Sequence, residues 1–67
     1  MTVAKVIEIS ATSEKSFEDA VERGVSRACK TLEDVRGAWI KELKVDVEGG
    51  KIKAYRVDMK VTFIMRE

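Results

Sequence analysis

Residues 35–65, VRGAWIKELKVDVEGGKIKAYRVDMKVTFIM, decide the fold of this chain. Residues 35–47 have the pattern of a β-strand, and apolar and polar residues alternate again over 52–65, which is typical of β-strands with one buried face. Between them, Glu48-Gly49-Gly50-Lys51 has the composition of a tight turn, because glycine tolerates the positive φ angles that short hairpin loops need. The segment therefore predicts a long antiparallel hairpin.

The residues before the hairpin predict a strand and then a helix. Residues 2–10, TVAKVIEIS, are rich in β-branched residues, and residues 11–15 form a polar connector. Ser16 followed by Asp19 resembles a capping box, so a helix is expected to begin near Phe17. Its apolar residues recur at helical spacing and form one stripe: Phe17, Ala20, Val21, Gly24, Val25, Ala28, Cys29 and Leu32. The predicted order is β-α-β-β, an α+β fold with a three-stranded antiparallel sheet and one helix.

Two small residues of the helical stripe are expected in the core. Gly24 costs about 1 kcal/mol relative to alanine inside a helix, so we expect it where a strand approaches the helix closely. Cys29 is expected to be a small core residue and not a reactive thiol.

The hairpin register predicts which side chains share a face. If Gly49 and Gly50 form the loop, Glu48 is opposite Lys51 and the pairing continues residue by residue. One face is then apolar and receives the helix: Ala38, Ile40, Tyr55, Val57, Met59, Val61 and Phe63, with Arg36, Glu42 and Lys44 interspersed. The other face holds Gly37, Trp39, Lys41, Leu43, Val45, Ala54, Arg56, Asp58, Lys60 and Thr62. This register pairs Trp39 with Lys60, Lys41 with Asp58, and Leu43 with Arg56.

Trp39 is the only tryptophan of the chain, and this register places it on the face that a single helix cannot cover. A large aromatic side chain on such a face indicates a partner. Two hypotheses remain open. The indole packs at an interface between subunits, or it stacks on a flat aromatic ligand while Arg56 and Asp58 hydrogen-bond the edge of that ligand. The two hypotheses are compatible if the ligand lies at a symmetric interface between subunits.

Composition argues against several classes of function. Thirteen basic and twelve acidic residues give a net charge of +1, far from the basic surplus of proteins that bind nucleic acid through phosphates. The chain has no histidine and one cysteine, so we expect no catalytic constellation, internal disulfide or Cys/His zinc site. No metal site is predicted within one chain, although symmetry axes could gather carboxylates such as Glu8 or Asp46. Without a signal peptide or a membrane-spanning run, a cytoplasmic protein is expected.

The chain is short for a domain that folds alone. Its 67 residues are expected to form one domain, 1–67. A core of this size barely offsets the entropy lost on folding unless a disulfide, a metal or oligomerisation adds stability. Since the first two are not expected, the chain is predicted to associate with copies of itself.

Several segments together resemble the dodecin family: Lys5-Val6-Ile7-Glu8-Ile9 with Thr12-Ser13, Phe17-Glu18-Asp19-Ala20, Lys30-Thr31-Leu32, and residues 55–63, YRVDMKVTF. Their order and spacing extend the resemblance over nearly the whole chain. It implies a sheet that wraps the helix, and a hollow homododecamer that stores flavin at two-fold axes and is not an enzyme. The flavin is FMN, riboflavin or FAD, and some members also bind coenzyme A.

Two positions depart from the pattern of the flavin-binding members. The stacking tryptophan of the family aligns with Gly37, and Trp39 lies two residues later on the same face, about 7 Å away. The glutamine that contacts the isoalloxazine edge aligns with Arg56, which donates hydrogen bonds but cannot accept them. With these two changes, the resemblance still implies a flavin site on this face, and we expect it at Gly37, Trp39, Lys41, Arg56 and Asp58. The alternative is a dodecin-like assembly without flavin, which acts as a structural shell or binds cations or another anionic cofactor.

Overall fold

The predicted order β-α-β-β is confirmed by a computed structural model, which describes residues 2–65. The elements are β1 (Val3–Ser13), α1 (Phe17–Thr31), β2 (Val35–Glu48) and β3 (Lys51–Met65). The strands form one antiparallel sheet in the order β1-β3-β2, so β3 lies in the centre. Strand β1 is longer than the predicted 2–10, because residues 11–13 continue the ladder with β3 and do not form a connector.

The helix begins where the sequence predicts it, directly after the N-cap Ser16. The backbone amide of Asp19 donates to Ser16 Oγ at 3.0 Å and thereby satisfies one of the free N–H groups of the first turn. The Asp19 carboxylate accepts hydrogen bonds from Ser13 Oγ and from Arg23 Nε. Since Ser13 is buried at the end of β1, these contacts tie the first helical turn to the sheet.

The contacts of Asp19 predict an acid-sensitive part of the stability. The hydrogen bond from Ser13, followed by that from Arg23, lowers the pKa of Asp19 below its ordinary value of 3.8. Because the folded-state pKa is depressed, the carboxylate stabilises the fold above that ordinary value, and the contribution is lost as the pH falls through the folded-state pKa. We expect Asp19→Asn to unfold at a lower temperature than the parent near neutral pH, with a difference that shrinks as the pH falls below 3.8.

Thermal unfolding at a series of pH values checks this expectation. Glu22→Gln, on the exposed side of the same helix, removes one carboxylate without those hydrogen bonds and is the matched control. A destabilisation of Asp19→Asn that stayed constant from neutral to acid pH would contradict the assignment.

The core lies between α1 and the β1–β3 half of the sheet. Its fully buried side chains are Ala20, Val57, Met59 and Val61. Gly24 marks the closest approach, because a Cβ there would lie 2.7 Å from Met59 Cε and 3.1 Å from Ala11 Cβ. The expectation that Gly24 admits a strand close to the helix is therefore confirmed.

The expectation that Cys29 belongs to the core is wrong, since its side chain is exposed. The buried line of the helix passes through Ala20, Gly24 and Ala28. Cys29 follows Ala28 by one position, which turns its side chain by about 100° around the helix axis. The buried stripe is thus narrower than the apolar pattern predicts.

The hairpin turn is as predicted, but the ladder beyond it is irregular. Gly49 and Gly50 have φ angles of +60° and +76°, and Glu48 is opposite Lys51. The register then shifts at three places, between Asp46 and Val47, between Ile40 and Glu42, and between Val35 and Gly37. Such shifts are β-bulges, in which one strand carries a residue without a partner.

The shift between Ile40 and Glu42 overturns two of the predicted pairs. Trp39 is opposite Lys60 as predicted. Lys41 is the unpaired residue of a bulge, however, so Glu42 and not Lys41 is opposite Asp58. Leu43 is then opposite Val57 and not Arg56, and Lys44 takes the place opposite Arg56.

The bulge keeps apolar residues of β2 on the helix side of the sheet. The run Ile40-Lys41-Glu42-Leu43 breaks the alternation, with two successive polar residues between two apolar ones. Leu43 and Val45 are consequently opposite Val57 and Tyr55, on the helix side, and not on the face of Trp39 as predicted. Because of the same bulge, Glu42 and Lys44 lie on the face of Trp39 and not on the helix side. A regular ladder would place these charges towards the helix.

The helix covers only part of its side of the sheet. Its 15 residues are about 22 Å long, whereas the molecule extends over 51 Å. Ile40, Leu43, Val47 and Ile52 are therefore between 46% and 63% exposed, and we refer to these four residues as the hairpin stripe. Within residues 2–65, no helix has the length and hydropathy needed to cross a membrane.

Candidate functional site

The face of the sheet opposite α1, here termed the open face, collects the predicted site residues. Trp39 lies on it with 62% of its surface exposed. Gly37 is opposite Thr62, and in the centre of the sheet Asp58 and Arg56 of β3 follow on the same side. Residues opposite one another in an antiparallel ladder share a face, so four of the five predicted residues lie on one surface.

The surface beside Trp39 has room for a flat molecule. A Cβ at Gly37 would meet no heavy atom within 4 Å. Phe17 and Tyr55 form the one aromatic ring pair found among residues 2–65, on the helix side, so no aromatic ring of that part of the chain stacks on the indole. An exposed indole beside an open glycine position offers a stacking surface for a planar ring.

Lys41, the fifth predicted residue, also extends over the open face but does not contact Asp58. Its Nζ lies 3.2 Å from a carboxylate oxygen of Glu8 on β1. Glu8 is opposite Lys60, which in turn is opposite Trp39. Lys41, Glu8 and Lys60 therefore form a charged border beside the indole.

Two rows of like charges cross the open face next to this border. Glu42 is directly opposite Asp58, and Lys44 is directly opposite Arg56; we refer to these as the acidic row and the basic row. Like charges in opposite positions of a ladder repel each other. In the basic row, the carboxylate of Asp46 offsets the repulsion between the two cations. It lies 3.1 Å from Arg56 Nη2 and 4.0 Å from Lys44 Nζ. Within residues 2–65, no ion pair offsets the charge of the acidic row.

The two rows line a pocket of about 220 Å³ together with Leu43. Glu42 and Lys44 were not among the predicted site residues, because a regular register assigns them to the helix side. The signal that could have identified them is the broken alternation at Lys41-Glu42. Among residues 2–65, no three acidic or cysteine side chains converge in a way that could hold a metal ion.

A second cavity, of about 290 Å³, lies between β1 and α1 and contains none of the predicted site residues. Ile7, Ile9, Ala28 and Leu32 line it, and Arg27 also contributes to its lining. These apolar side chains belong to the core or pack against it. We regard this cavity as an incompletely covered edge of the core, and the open face as the candidate site.

Comparison with known proteins identifies a family over almost the whole chain. The family model described as Dodecin matches residues 3–66. A protein of Mycobacterium tuberculosis named calcium dodecin is 38% identical over 66 residues, which is 98% of this chain and 93% of that protein. A dodecin of Thermus thermophilus is 32% identical over 65 residues, 97% of this chain and 94% of the relative.

Solved structures agree with this result. A variant of the Thermus thermophilus dodecin superposes with a TM-score of 0.95 at 31% identity, with both chains covered completely. Calcium dodecin from Mycobacterium tuberculosis, described as calcium chelating with a novel calcium-binding site, superposes with a TM-score of 0.83 at 42% identity, over 96% of this chain and 91% of that one. The backbone is thus more similar to the Thermus protein, and the sequence to the mycobacterial one.

Proposed function

This chain belongs to the dodecin family, and we propose that it binds and stores a flavin on the open face of its sheet. The observation that carries the proposal is the exposed indole of Trp39 beside the open position at Gly37. A flavin ring is large, flat and aromatic, and stacking on an indole removes its apolar faces from water. The function proposed is sequestration, with no reaction catalysed.

The polar residues of the open face suit the edge of a flavin ring. That edge carries both hydrogen-bond acceptors and a donor. Arg56 supplies donors, and Asp58, which has no hydrogen bond or ion pair within residues 2–65, supplies an acceptor. The ion pair between Lys41 and Glu8 lies beside Trp39, at the border of the surface on which the flavin ring would stack. These side chains fit the chemistry of a flavin although the family's tryptophan and glutamine positions hold Gly37 and Arg56.

We further propose that the chain acts as a homododecamer with the ligand at two-fold interfaces. The hairpin stripe and Trp39 together leave large apolar side chains exposed on both faces of one sheet. A domain of this size is marginally stable with so much of its apolar surface in water. Copies of the chain that cover the hairpin stripe would stabilise it, and two facing Trp39 side chains would enclose a stacked ligand.

Titration of flavin fluorescence tests the proposal. Riboflavin, FMN and FAD fluoresce in water, and stacking on an indole quenches this emission. We expect stoichiometric protein to quench at least one of the three, with saturation at a fixed ratio of flavin to subunit. Emission that stays unchanged at micromolar protein for all three would contradict flavin binding. Competition by coenzyme A tests in the same assay whether that cofactor uses the same face.

The acidic row favours one second candidate, the binding of a divalent cation. Glu42 and Asp58 are opposite one another and lack a cationic partner within residues 2–65, and a relative is named calcium dodecin. Calcium takes six to eight oxygen ligands, so carboxylates of several subunits would have to converge. Calorimetric binding of calcium by the parent, lost in Glu42→Gln and accompanied by no flavin quenching, would favour this candidate.

A further inference from the structure

The cavity between β1 and α1 combines an apolar floor with a cationic mouth, and we refer to it as the edge cavity. Its volume is about 290 Å³, and its lining, all within residues 2–65, contains aliphatic side chains and no aromatic ring. Gly24 and Ala28 of this lining are buried, whereas Arg23, Arg27 and Thr31 are exposed. An aliphatic molecule with one negatively charged end matches both parts.

The helical repeat separates the floor of the edge cavity from its mouth. The helix side of the cavity consists of two rows of residues spaced four apart, one apolar and one polar: Gly24, Ala28 and Leu32, and Arg23, Arg27 and Thr31. Residues four positions apart lie on the same side of a helix, and the adjoining row is turned by about 100°. Because the apolar row begins with a glycine and an alanine, the space towards Ile7 and Ile9 of β1 is not filled.

Arg27 is the cation that this arrangement leaves available to a ligand. Within residues 2–65 it has no hydrogen bond or ion pair, so the five N–H groups of its guanidinium lack protein acceptors there. Arg23, by contrast, donates from Nε to the Asp19 carboxylate at 2.7 Å. The residues that line the cavity, all within 2–65, include no acidic side chain. The charge of Arg27 is therefore not neutralised by the lining.

We propose that the edge cavity binds the alkyl chain of a medium-chain fatty acid, with the carboxylate of the acid on Arg27. A guanidinium donates two parallel hydrogen bonds to a carboxylate. A water molecule takes up about 30 Å³ of the liquid, and a methylene group has a similar volume, so the cavity holds a chain of about eight to ten carbon atoms. The site does not depend on flavin storage, because Trp39 lies on the opposite side of the sheet.

The hairpin of a second copy of the chain suits the edge cavity less well. Residues 44–56 carry four basic and two acidic side chains, so the hairpin would bring net positive charge to Arg23 and Arg27. Like charges that face one another at a contact disfavour association. A fatty acid brings the opposite charge together with an apolar chain, and we therefore favour it as the occupant.

Calorimetric titration with octanoate tests the site, with octanol and acetate as probes that lack the charge or the chain. We expect octanoate to bind about tenfold more tightly than octanol, which is the effect of one charge-assisted hydrogen-bonded contact. From butanoate to octanoate, affinity should rise by up to about fourfold for each methylene group, because each one that enters the cavity leaves water. Acetate should bind far more weakly than octanoate.

Arg27→Gln tests the role of the guanidinium, with Arg36→Gln as the matched control. Both substitutions replace an exposed arginine, but Arg36 lies on β2, at the opposite edge of the sheet from β1. Arg27→Gln should bind octanoate no more tightly than octanol and keep the octanol affinity of the parent within about twofold. Arg36→Gln should retain the preference for octanoate.

Several results would overturn the proposal. These are the absence of octanoate binding to the parent, equal affinity for octanoate and octanol, and the same loss in both variants. Affinity that does not change with chain length would also overturn it, since the chain would then lie outside the cavity. Light scattering during the titration tests the second copy as occupant. Dissociation of the assembly as octanoate binds would show that a subunit covers the cavity, and would overturn the fatty-acid site.

Discussion

Replacement of Trp39 by alanine is expected to abolish flavin quenching while the subunit stays folded. The indole is 62% exposed and is absent from the buried core cluster, and substitutions at exposed positions change stability by about 0.5 kcal/mol or less. Stacking of a heteroaromatic ring on an aromatic side chain contributes about 1–3 kcal/mol, so affinity should fall by about 5- to 150-fold. Fluorescence titration and circular dichroism measure the two effects separately.

The same variant separates the two roles of the indole. Light scattering of Trp39→Ala reports whether the assembly survives. An intact assembly with weakened flavin binding favours a ligand site, whereas dissociation to smaller species favours interface packing. Trp39→Phe is the control, because it retains a flat ring and should keep part of the quenching. Unchanged flavin affinity in Trp39→Ala would exclude the indole as the stacking residue.

Replacement of Gly24 by valine is expected to be strongly destabilising, by about 3 kcal/mol. The new Cβ alone would lie 2.7 Å from Met59 Cε and 3.1 Å from Ala11 Cβ. Met59 can move its terminal methyl, but the Cβ of Ala11 is fixed to the backbone of β1. The two further methyl groups of valine would therefore push α1 away from the sheet. Urea unfolding at a fixed protein concentration measures the loss, since self-association makes stability depend on concentration.

Gly37→Val is the matched control for this experiment. It adds the same atoms at a position with no neighbour within 4 Å, in a strand, where β-branched residues are favourable. We expect it to change the free energy of unfolding by less than about 0.5 kcal/mol. Similar losses at both positions would show that the close approach at Gly24 is not what limits the core.

The elements of the fold were predictable because their signals are local. The two glycines after Glu48 favour a tight turn at the observed place, and both have positive φ angles. Ser16 provides the N-cap that the capping pattern predicts. Helical periodicity and strand alternation depend on neighbouring residues along the chain, so one sequence is sufficient to detect them.

The candidate site was predictable only in part, because it depends on register across two strands. Trp39 and its partner Lys60 lie between bulges and were paired correctly. The bulge at Lys41 separates Trp39 and Gly37 from the part of the site around Arg56 and Asp58. Every pair from Glu42 to Asp46 is shifted by one residue. The prediction therefore contained Arg56 and Asp58, which lie on the central strand, but omitted Glu42 and Lys44.

The sequence by itself determined the order of the elements, the position of the turn, the helix start and the exposure of Trp39. Each follows from patterns with a period of two or 3.6 residues, or from residues that favour one backbone conformation. Only the tertiary structure decided that like charges are opposite one another on the open face. A single extra residue at Lys41 inverts the faces of all later residues of β2, and the packing of Leu43 and Val45 towards the helix side makes that inversion favourable.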